Sequence, residues 1–307
     1  MPWTSFAVEP RHWVLLVFLG SALFIHFRGH DRFELKRALD FTILLAPVNA
    51  LMYLFSRVPR SAYIDPHDFP ELAPLREHWQ EIREEAVRLN DEGAIRAATG
   101  YNDIGFNSFF RTGWTRFDLT WYGKDMATAE QLCPRTMALL RGIPSLKAAM
   151  FASLPPGARL VRHRDPYAGS LRYHLGLATP NDPGCYIVVD GQRYHWKDGE
   201  AVMFDETFIH HAENTTQGQR VILFCDIERP LWSAPMRWFN RLFAKHVMAA
   251  ASSQNTEAEE SVGGINRFFH YAYQLRLKAK QLKADHRGLY YAGKWLLIGG
   301  LLWALFW

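Results

Sequence analysis

From about residue 148 to 228 the chain alternates apolar and polar positions with period two. The runs "AAMFASL", "ARLVRH", "SLRYHLGLA", "CYIVVDG", "QRYHW", "AVMF", "FIHHAEN" and "RVILFCDI" are rich in Val, Ile, Tyr and Phe. Between them fall "LPPG", "TPNDPG", "VDGQ", "KDGE" and "TTQGQ", which are turn compositions. Eight short strands at about ten-residue spacing predict an all-β barrel or a double-sheet jelly roll, a mainly β core over about 147–228. Flanking it the period is helical. Residues 74–91, "PLREHWQEIREEAVRLND", place Leu75, Trp79, Ile82, Val87 and Leu89 roughly on one stripe and charges on the other face. Residues 236–250 and 264–283 read as basic helices joined by the polar linker "ASSQNTEAEESVGG".

Three runs are apolar all round. Residues 13–27, "WVLLVFLGSALFIHF", are short against the ~20 residues of a spanning helix, but Trp13 and the polar flanks allow insertion. A signal peptide does not fit, because no small-x-small cleavage site follows. Residues 41–55, "FTILLAPVNALMYLF", carry Pro47 and Asn49 in the middle and read either as an interfacial or re-entrant helix or as a buried core helix. Residues 288–307, "GLYYAGKWLLIGGLLWALFW", have Tyr290, Tyr291 and Trp295 at one end and Trp303 and Trp307 at the other, the pattern of a transmembrane helix with aromatic belts. The bases Arg28, Arg32, Lys36 and Arg37 follow the first run, and "RLKAKQLKADHR" precedes the last. The positive-inside bias then puts the middle of the chain in the cytoplasm and both termini outward. The expected organisation is membrane-associated segments at 1–60, a catalytic domain at 61–235, a basic helical region at 236–287 and a transmembrane helix at 288–307.

Composition narrows the function classes. Hydrophobic residues make up 49% and aromatics 14%, which excludes a disordered chain. The net charge of +4 is mildly basic, but no Lys/Arg block sits among stacking aromatics, so nucleic acid is not an expected partner. The bases lie beside apolar runs, which favours an anionic membrane surface. No protein partner is evident. Cys133, Cys185 and Cys225 are odd in number and widely spaced, which argues against a disulfide framework or a structural zinc site.

Histidine is the residue that changes the picture. Of thirteen, His163, His174, His195, His210 and His211 all fall in the strand-rich segment. In "VRHRDP", His163 and Asp165 are i and i+2 at a strand end, so both side chains take one face. A second histidine from "FDETFIHHAEN" would complete two His and one carboxylate, the facial triad of non-haem Fe(II) oxygenases. His210 and His211 point to opposite faces, so only one qualifies. Arg220 lies ten positions after His210 at the start of "RVILFCD". In 2-oxoglutarate oxygenases a basic residue there holds the cosubstrate's far carboxylate, a task suited to a planar guanidinium, and this favours His210. In "SLRYHLGL", Arg172 and His174 share one face of a strand apolar on the other, and a buried Arg–His pair needs an acidic partner such as a small dicarboxylate.

"HRD", "SLRYHLGL", "FDETFIHHAEN" and Arg220 resemble the aspartyl/asparaginyl β-hydroxylase family of Fe(II)/2-oxoglutarate oxygenases. Longer stretches, among them "LAPVNALMYLFSRVP", "YNDIGFNSFFRTGW", "ILFCDIERPL" and "GGIN", are similar to its bacterial membrane-bound lipid A 2-hydroxylases, over nearly the whole chain. The resemblance implies a double-stranded β-helix with flanking helices, iron at His163, Asp165 and His210, and 2-oxoglutarate at Arg172, His174 and Arg220. It implies O₂ as the oxidant, with ascorbate as support in vitro. It also implies hydroxylation at C2 of a secondary acyl chain of lipid A or its precursor, with succinate and CO₂ as co-products, at the cytoplasmic face of the bacterial inner membrane. Animal protein hydroxylases of the family lack the carboxylate that stands here as Asp165. The family's cosubstrate-binding serine aligns with Ala152, beside Ser153, so that contact is not carried over. Arg111, Arg116, Lys124 and Arg159 are candidates for lipid phosphates. The competing readings are hydroxylation of Asp or Asn in a peptide, with the same iron site, and a cupin-like metal protein without redox chemistry.

Overall fold

The computed structural model describes residues 10–34, 44–97, 103–255 and 262–306. Its core is eleven strands: β1 (Tyr63–Ile64), β2 (Thr115–Trp121), β3 (Lys124–Asp125), β4 (Leu146–Leu154), β5 (Arg159–His163), β6 (Ser170–Ala178), β7 (Cys185–Val189), β8 (Gln192–His195), β9 (Ala201–Phe204), β10 (His210–Asn214) and β11 (Arg220–Glu228). They form a seven-stranded sheet, β1-β9-β6-β11-β4-β2-β3, and a four-stranded sheet, β5-β10-β7-β8. Every pairing is antiparallel. The last eight strands pair as nested hairpins, β4 with β11, β5 with β10, β6 with β9 and β7 with β8. One long hairpin rolled on itself into two facing sheets is a jelly roll, as the alternation predicts. The tightest turn, β7 to β8, uses Asp190 and Gly191 with φ of 49° and 82°, the left-handed pair that a two-residue hairpin requires.

β6 and β11 are central in the large sheet and buried along almost their whole length. The inner face turns toward the small sheet. The outer face of β6 is covered by the helix Trp79–Asp91, which buries Ile82, Ala86 and Leu89 at helical spacing. The predicted helix 74–91 is in fact two, Ala73–Glu77 and Trp79–Asp91, broken at His78 (φ −105°, ψ 24°). Val87, five residues on from Ile82, is rotated off the stripe and only partly buried. The three cysteines are free and buried.

The N-terminal segments differ from the membrane reading. Arg28 does not belong to an exposed basic patch. It is buried, pairs with Asp205 at 2.5 Å and lies between the rings of Tyr53 and Phe208 at 3.9 and 4.0 Å. Lys36 and Arg37 lie outside the described residues. The second apolar run forms the helix Ala46–Leu54, with Pro47 in its first turn, where a missing N–H costs nothing. Its Asn49 is buried, donating to Pro166 O and accepting from Ala168 N, both at 2.8 Å. This is the core-helix alternative, because an amide that satisfies two backbone groups faces protein rather than lipid.

The terminal membrane helices are not found. Pro10–His26 is 17 residues, and Arg287–Phe306 is 20 with Lys294 within it. Among the described residues no helix is long and apolar enough to cross a membrane. The region 236–287 is mainly helical. Its first part, Ala234–Phe243 followed by a π turn at Ala244–Met248, packs back on the core, and Trp121 Nε1 donates to Met248 O at 2.9 Å.

Candidate active site

β5 and β10 are neighbours in the small sheet, with His163 opposite His210 in register. Their ring centroids are 4.1 Å apart. Asp165 follows β5 by two residues, held by its own N–H donating to Glu206 O at 2.9 Å. One donor atom each from His163, Asp165 and His210 lie within 4.8 Å of one another. Each imidazole is oriented by backbone: His163 Nδ1 meets Val161 O at 2.7 Å and His210 Nδ1 meets Phe208 O at 2.9 Å. A carbonyl only accepts, so Nδ1 carries the proton in both rings and Nε2 keeps its lone pair. Burial pushes both histidines down, His210 to about 3, so both are neutral at pH 7, the form that can ligate. For Asp165 burial acts upward, but Arg172, His210 and His163 outweigh it and hold the carboxyl below its ordinary value. Two neutral imidazoles and one carboxylate converge here, the donor set that fits a divalent transition metal with open positions. His211 points to the other face and is half-buried.

Arg172 differs from the expectation of a cation that needs an outside acid. The chain supplies its acids. Nη2 donates to Asp165 Oδ2 at 2.8 Å and meets Glu206 Oε2, and Nε donates to Asp226 Oδ1 at 2.9 Å. Asp226 stands opposite Arg172 in the β6–β11 register, and the guanidinium stacks 3.8 Å over Phe224. Glu206 also accepts from Ser170 Oγ at 2.6 Å, and Asp226 from Tyr122 Oη at 3.1 Å. Three carboxylates around one cation leave a net negative charge. Burial, only partly offset by Arg172, therefore raises Glu206 and Asp226 above the usual carboxylate range.

Arg220 presents the opposite case. It is fully buried, its guanidinium lies 4.4 Å over the Trp196 ring, and Nε and Nη2 have no partner. Among the described residues no carboxylate pairs with it, and burial pulls it down to about 10, still cationic at neutral pH. Both nitrogens of His174 and Nε1 of Trp196 are likewise buried without partners. Orphaned donors on a buried cation are costly unless a ligand meets them, so this end of the site is built for an anion. All these groups line one cavity of about 470 Å³. Its remaining wall is apolar, with Phe106, Phe109, Trp114, Trp121, Met248 and Ile265 among the residues. Phe109 packs 4.5 Å from the His163 ring, so the apolar wall reaches the triad.

The family profile "Aspartyl/Asparaginyl beta-hydroxylase" matches residues 76–230. The chain belongs to that family. It is a hydroxylase, a 2-oxoglutarate-dependent dioxygenase of the aspartyl/asparaginyl β-hydroxylase type. It is 34% identical over 207 residues to the ornithine lipid ester-linked acyl 2-hydroxylase of Rhizobium tropici, an alignment covering 65% of this chain and 72% of that protein. It is 32% identical over 133 residues to the aspartate β-hydroxylase domain-containing protein 2 of Rattus norvegicus, covering 40% of this chain and 38% of that protein. Among solved structures, a Pseudomonas putida prolyl-4-hydroxylase aligns with 50% of this chain and 88% of its own at 20% identity, with a TM-score of 0.33.

Several residues of this hydroxylase sit elsewhere than expected. Arg116 is buried between Asp103 (2.7 Å) and Asp118, so it is not available to a phosphate. Arg111 lies over the Tyr273 ring, Arg159 is exposed at the start of β5, and Lys124 is in β3. Neither Ala152 nor Ser153 lines the cavity, and Ser153 accepts instead from Gln219. Glu206, Asp226, Ser170 and Tyr122 join the site without having been singled out. For Ser170 and Asp226 the faces are legible, because 220, 222, 224 and 226 on β11 and 170, 172 and 174 on β6 share parity and each set lines the cavity; Glu206 and Tyr122 lie outside both strands and carry no such signal. The aromatic wall was signalled only by the density of rings in "GFNSFFRTGW".

Proposed function

We propose that this protein hydroxylates C2 of a fatty acyl chain on a membrane lipid, lipid A or its precursor, by the overall reaction acyl C–H + 2-oxoglutarate + O₂ → acyl C–OH + succinate + CO₂. The observation that carries this reading is the cavity: a polar end with two histidines, a carboxylate and an unpaired arginine, continuous with an apolar aromatic wall. A methylene chain has no polar handle, so only such a wall can hold it beside the triad. Leu44, Ile104 and Val161 line the cavity and are exposed, which gives its rim an apolar character suited to a chain drawn from lipid.

Fe(II) held by His163, Asp165 and His210 would supply the chemistry that couples decarboxylation of 2-oxoglutarate to activation of O₂. The rest belongs to the protein's own groups. Arg220 pairs the far carboxylate of 2-oxoglutarate, with His174 and the Trp196 indole N–H beside it. The backbone carbonyls of Val161 and Phe208 fix the imidazole tautomers. Phe109, Phe106 and Trp114 keep water from the reacting carbon.

We place the enzyme on the cytoplasmic face of the inner membrane. This is supported by the exposed Trp13, Leu16, Leu19 and Leu23 of Pro10–His26, the exposed Leu289, Trp295 and Leu296 of Arg287–Phe306, and the bases between Arg276 and Arg287. Apolar side chains sunk in the interface with bases at headgroup level describe a surface-seated protein. The similarity to an ornithine-lipid enzyme favours a second reading, an ester-linked acyl chain of an ornithine lipid.

The test is mass spectrometry of total lipids from cells with and without the protein and with His163→Ala. One added oxygen on a lipid A acyl chain, lost in the variant, is the expected result. The same gain on an ornithine lipid selects the second reading. No gain on any lipid, with succinate still formed by purified protein under Fe(II), ascorbate and O₂, rejects a lipid substrate.

A further inference from the structure

Two helices beside the cavity each turn an apolar side to solvent. Ala46–Leu54 buries Ala46, Asn49 and Met52 and leaves Leu51 and Leu54 exposed, Leu54 to 69%. Ala234–Phe243 buries Asn240 and leaves Trp238 and Leu242 exposed, Trp238 to 66%. The two are fastened together. Trp232 N–H donates to Phe55 O at 3.0 Å, the rings of Phe55 and Trp232 lie 4.8 Å apart, and Met236 and Phe239 pack with Met52 and Leu231. Trp232 itself is exposed at this joint. Both segments run directly into the cavity wall: Leu44 and Leu45 precede the first helix, Val247 and Met248 follow the second, and all four line the cavity. Pro10–His26 packs on the first helix, with Phe24 6.0 Å from Tyr53, and adds the exposed Leu23 and Phe24.

Charge indicates what covers this face. Residues 41–64 and 229–256 contain no Asp or Glu, and Arg57, Arg60, Arg241 and Lys245 within them are exposed. Indole and leucine side chains beside bases, with no carboxylate in either segment, match the boundary of an anionic bilayer, where tryptophan settles at headgroup depth and bases meet phosphate. An acidic soluble partner would fit the charge but would close the cavity mouth to an acyl chain.

We infer that the helices Ala46–Leu54 and Ala234–Phe243 form a seat that holds the cavity mouth against a bilayer of anionic phospholipid. The purpose of the seat rests on the acyl-hydroxylase reading. With the mouth at the bilayer surface, an acyl chain passes from lipid to the aromatic wall without exposing its methylenes to water. In this arrangement the terminal helices tether the protein, and the seat sets which way the cavity faces.

The experiment uses the full chain with Trp238→Cys carrying an environment-sensitive NBD fluorophore, which selects that thiol because Cys133, Cys185 and Cys225 are buried. Glu84→Cys, exposed on the helix that covers the outer face of the large sheet, carries the same label as a reference. The vesicles are phosphatidylglycerol mixed with phosphatidylcholine, with and without a nitroxide on the lipid acyl chain. On adding vesicles, the label at 238 should brighten, shift to the blue, be quenched by the nitroxide lipid and lose access to iodide, while the label at 84 stays open to iodide. Leu54→Glu combined with Trp238→Glu should lower vesicle affinity about 10-fold for each side chain, the low end of what burial of a large apolar side chain contributes. If the protein sediments with vesicles while the label at 238 stays open to iodide, the terminal helices alone hold it and the seat is rejected. If that label is shielded without vesicles, and the double variant converts a dimer to a monomer in sedimentation velocity, a second copy covers the face and the inference is overturned. If the protein does not bind vesicles at all, the membrane placement fails first and the seat falls with it, a distinct result. Label depth is read without turnover, so a seat that forms while no lipid gains oxygen in cells supports the surface and rejects the substrate.

Discussion

Arg220 and Asp205 show how burial has opposite consequences depending on partners. Arg220 is a cation without an acid, and its two free nitrogens make it the strongest recognition group in the cavity. Arg220→Gln should raise the KM for 2-oxoglutarate about 10- to 100-fold, the worth of a charge-assisted hydrogen-bonded pair, with far less effect on succinate formed per turnover at saturation. Steady-state assays over a range of 2-oxoglutarate check this. Asp205 is an acid between two cations. Burial alone would raise it, but Arg229 at 2.9 Å and Arg28 outweigh burial and hold it at about 2, against an ordinary 3.8. A folded value below the unfolded one means that the folded state binds the proton less well. The pair therefore stabilises fully above pH 3.8, and the contribution is lost as pH falls through 2. It amounts to about 2 kcal/mol, so urea midpoints should fall in that acid window for the wild type and lose this component in Asp205→Asn.

At the scale of elements, the site depends on pieces distant in sequence that hold loops rather than touch chemistry. The helix Ala46–Leu54 reaches the turn after Asp165 through Asn49, which meets Pro166 and Ala168 with two hydrogen bonds. Asn49→Ala leaves both backbone groups unmet at a cost of about 1–3 kcal/mol each. Because that turn follows Asp165 directly, Co(II) affinity should fall along with the melting temperature, and both can be measured on one preparation. The strands were legible because each half-buried strand must alternate, and parity alone put Arg172 with His174, and Arg220 with Asp226, on single faces. The break at His78 was not legible, since both halves of 74–91 share helical composition. Only packing on β6 shows that the second half is the one that matters. Nor was the role of 244–251: its residues read as a basic helix, and a wall of the cavity is visible only once Trp121 has met Met248.

For the whole molecule, apolar surface and positive charge lie together along the terminal helices. Phe268, Tyr271 and Leu275 are exposed on Gly264–Asp285, whose second half carries Arg276, Lys278, Lys280 and Lys283, with Arg287 just beyond it. The protein should sediment with vesicles containing anionic lipid and release as salt rises. Changing Lys278, Lys280 and Lys283 to Gln should weaken vesicle binding by about 1 kcal/mol per charge, roughly 100-fold in all. Equal binding of the variant would remove electrostatics from the membrane reading.

By itself the sequence determined what is local. Alternation specified the strands, turn residues their connections, and i, i+2 spacing the pair His163–Asp165. Motif likeness alone pointed to the family. The tertiary structure decided what depends on distance through space. It set His210 opposite His163 in the β5–β10 register and turned Arg28 and Arg116 from surface charges into buried ion pairs. It also separated Arg172 from Arg220, two residues of one type on neighbouring strands. Whether a buried arginine is satisfied depends on which carboxylates fold against it, and those acids come from β11 and the loop before β10, which no local pattern could assign.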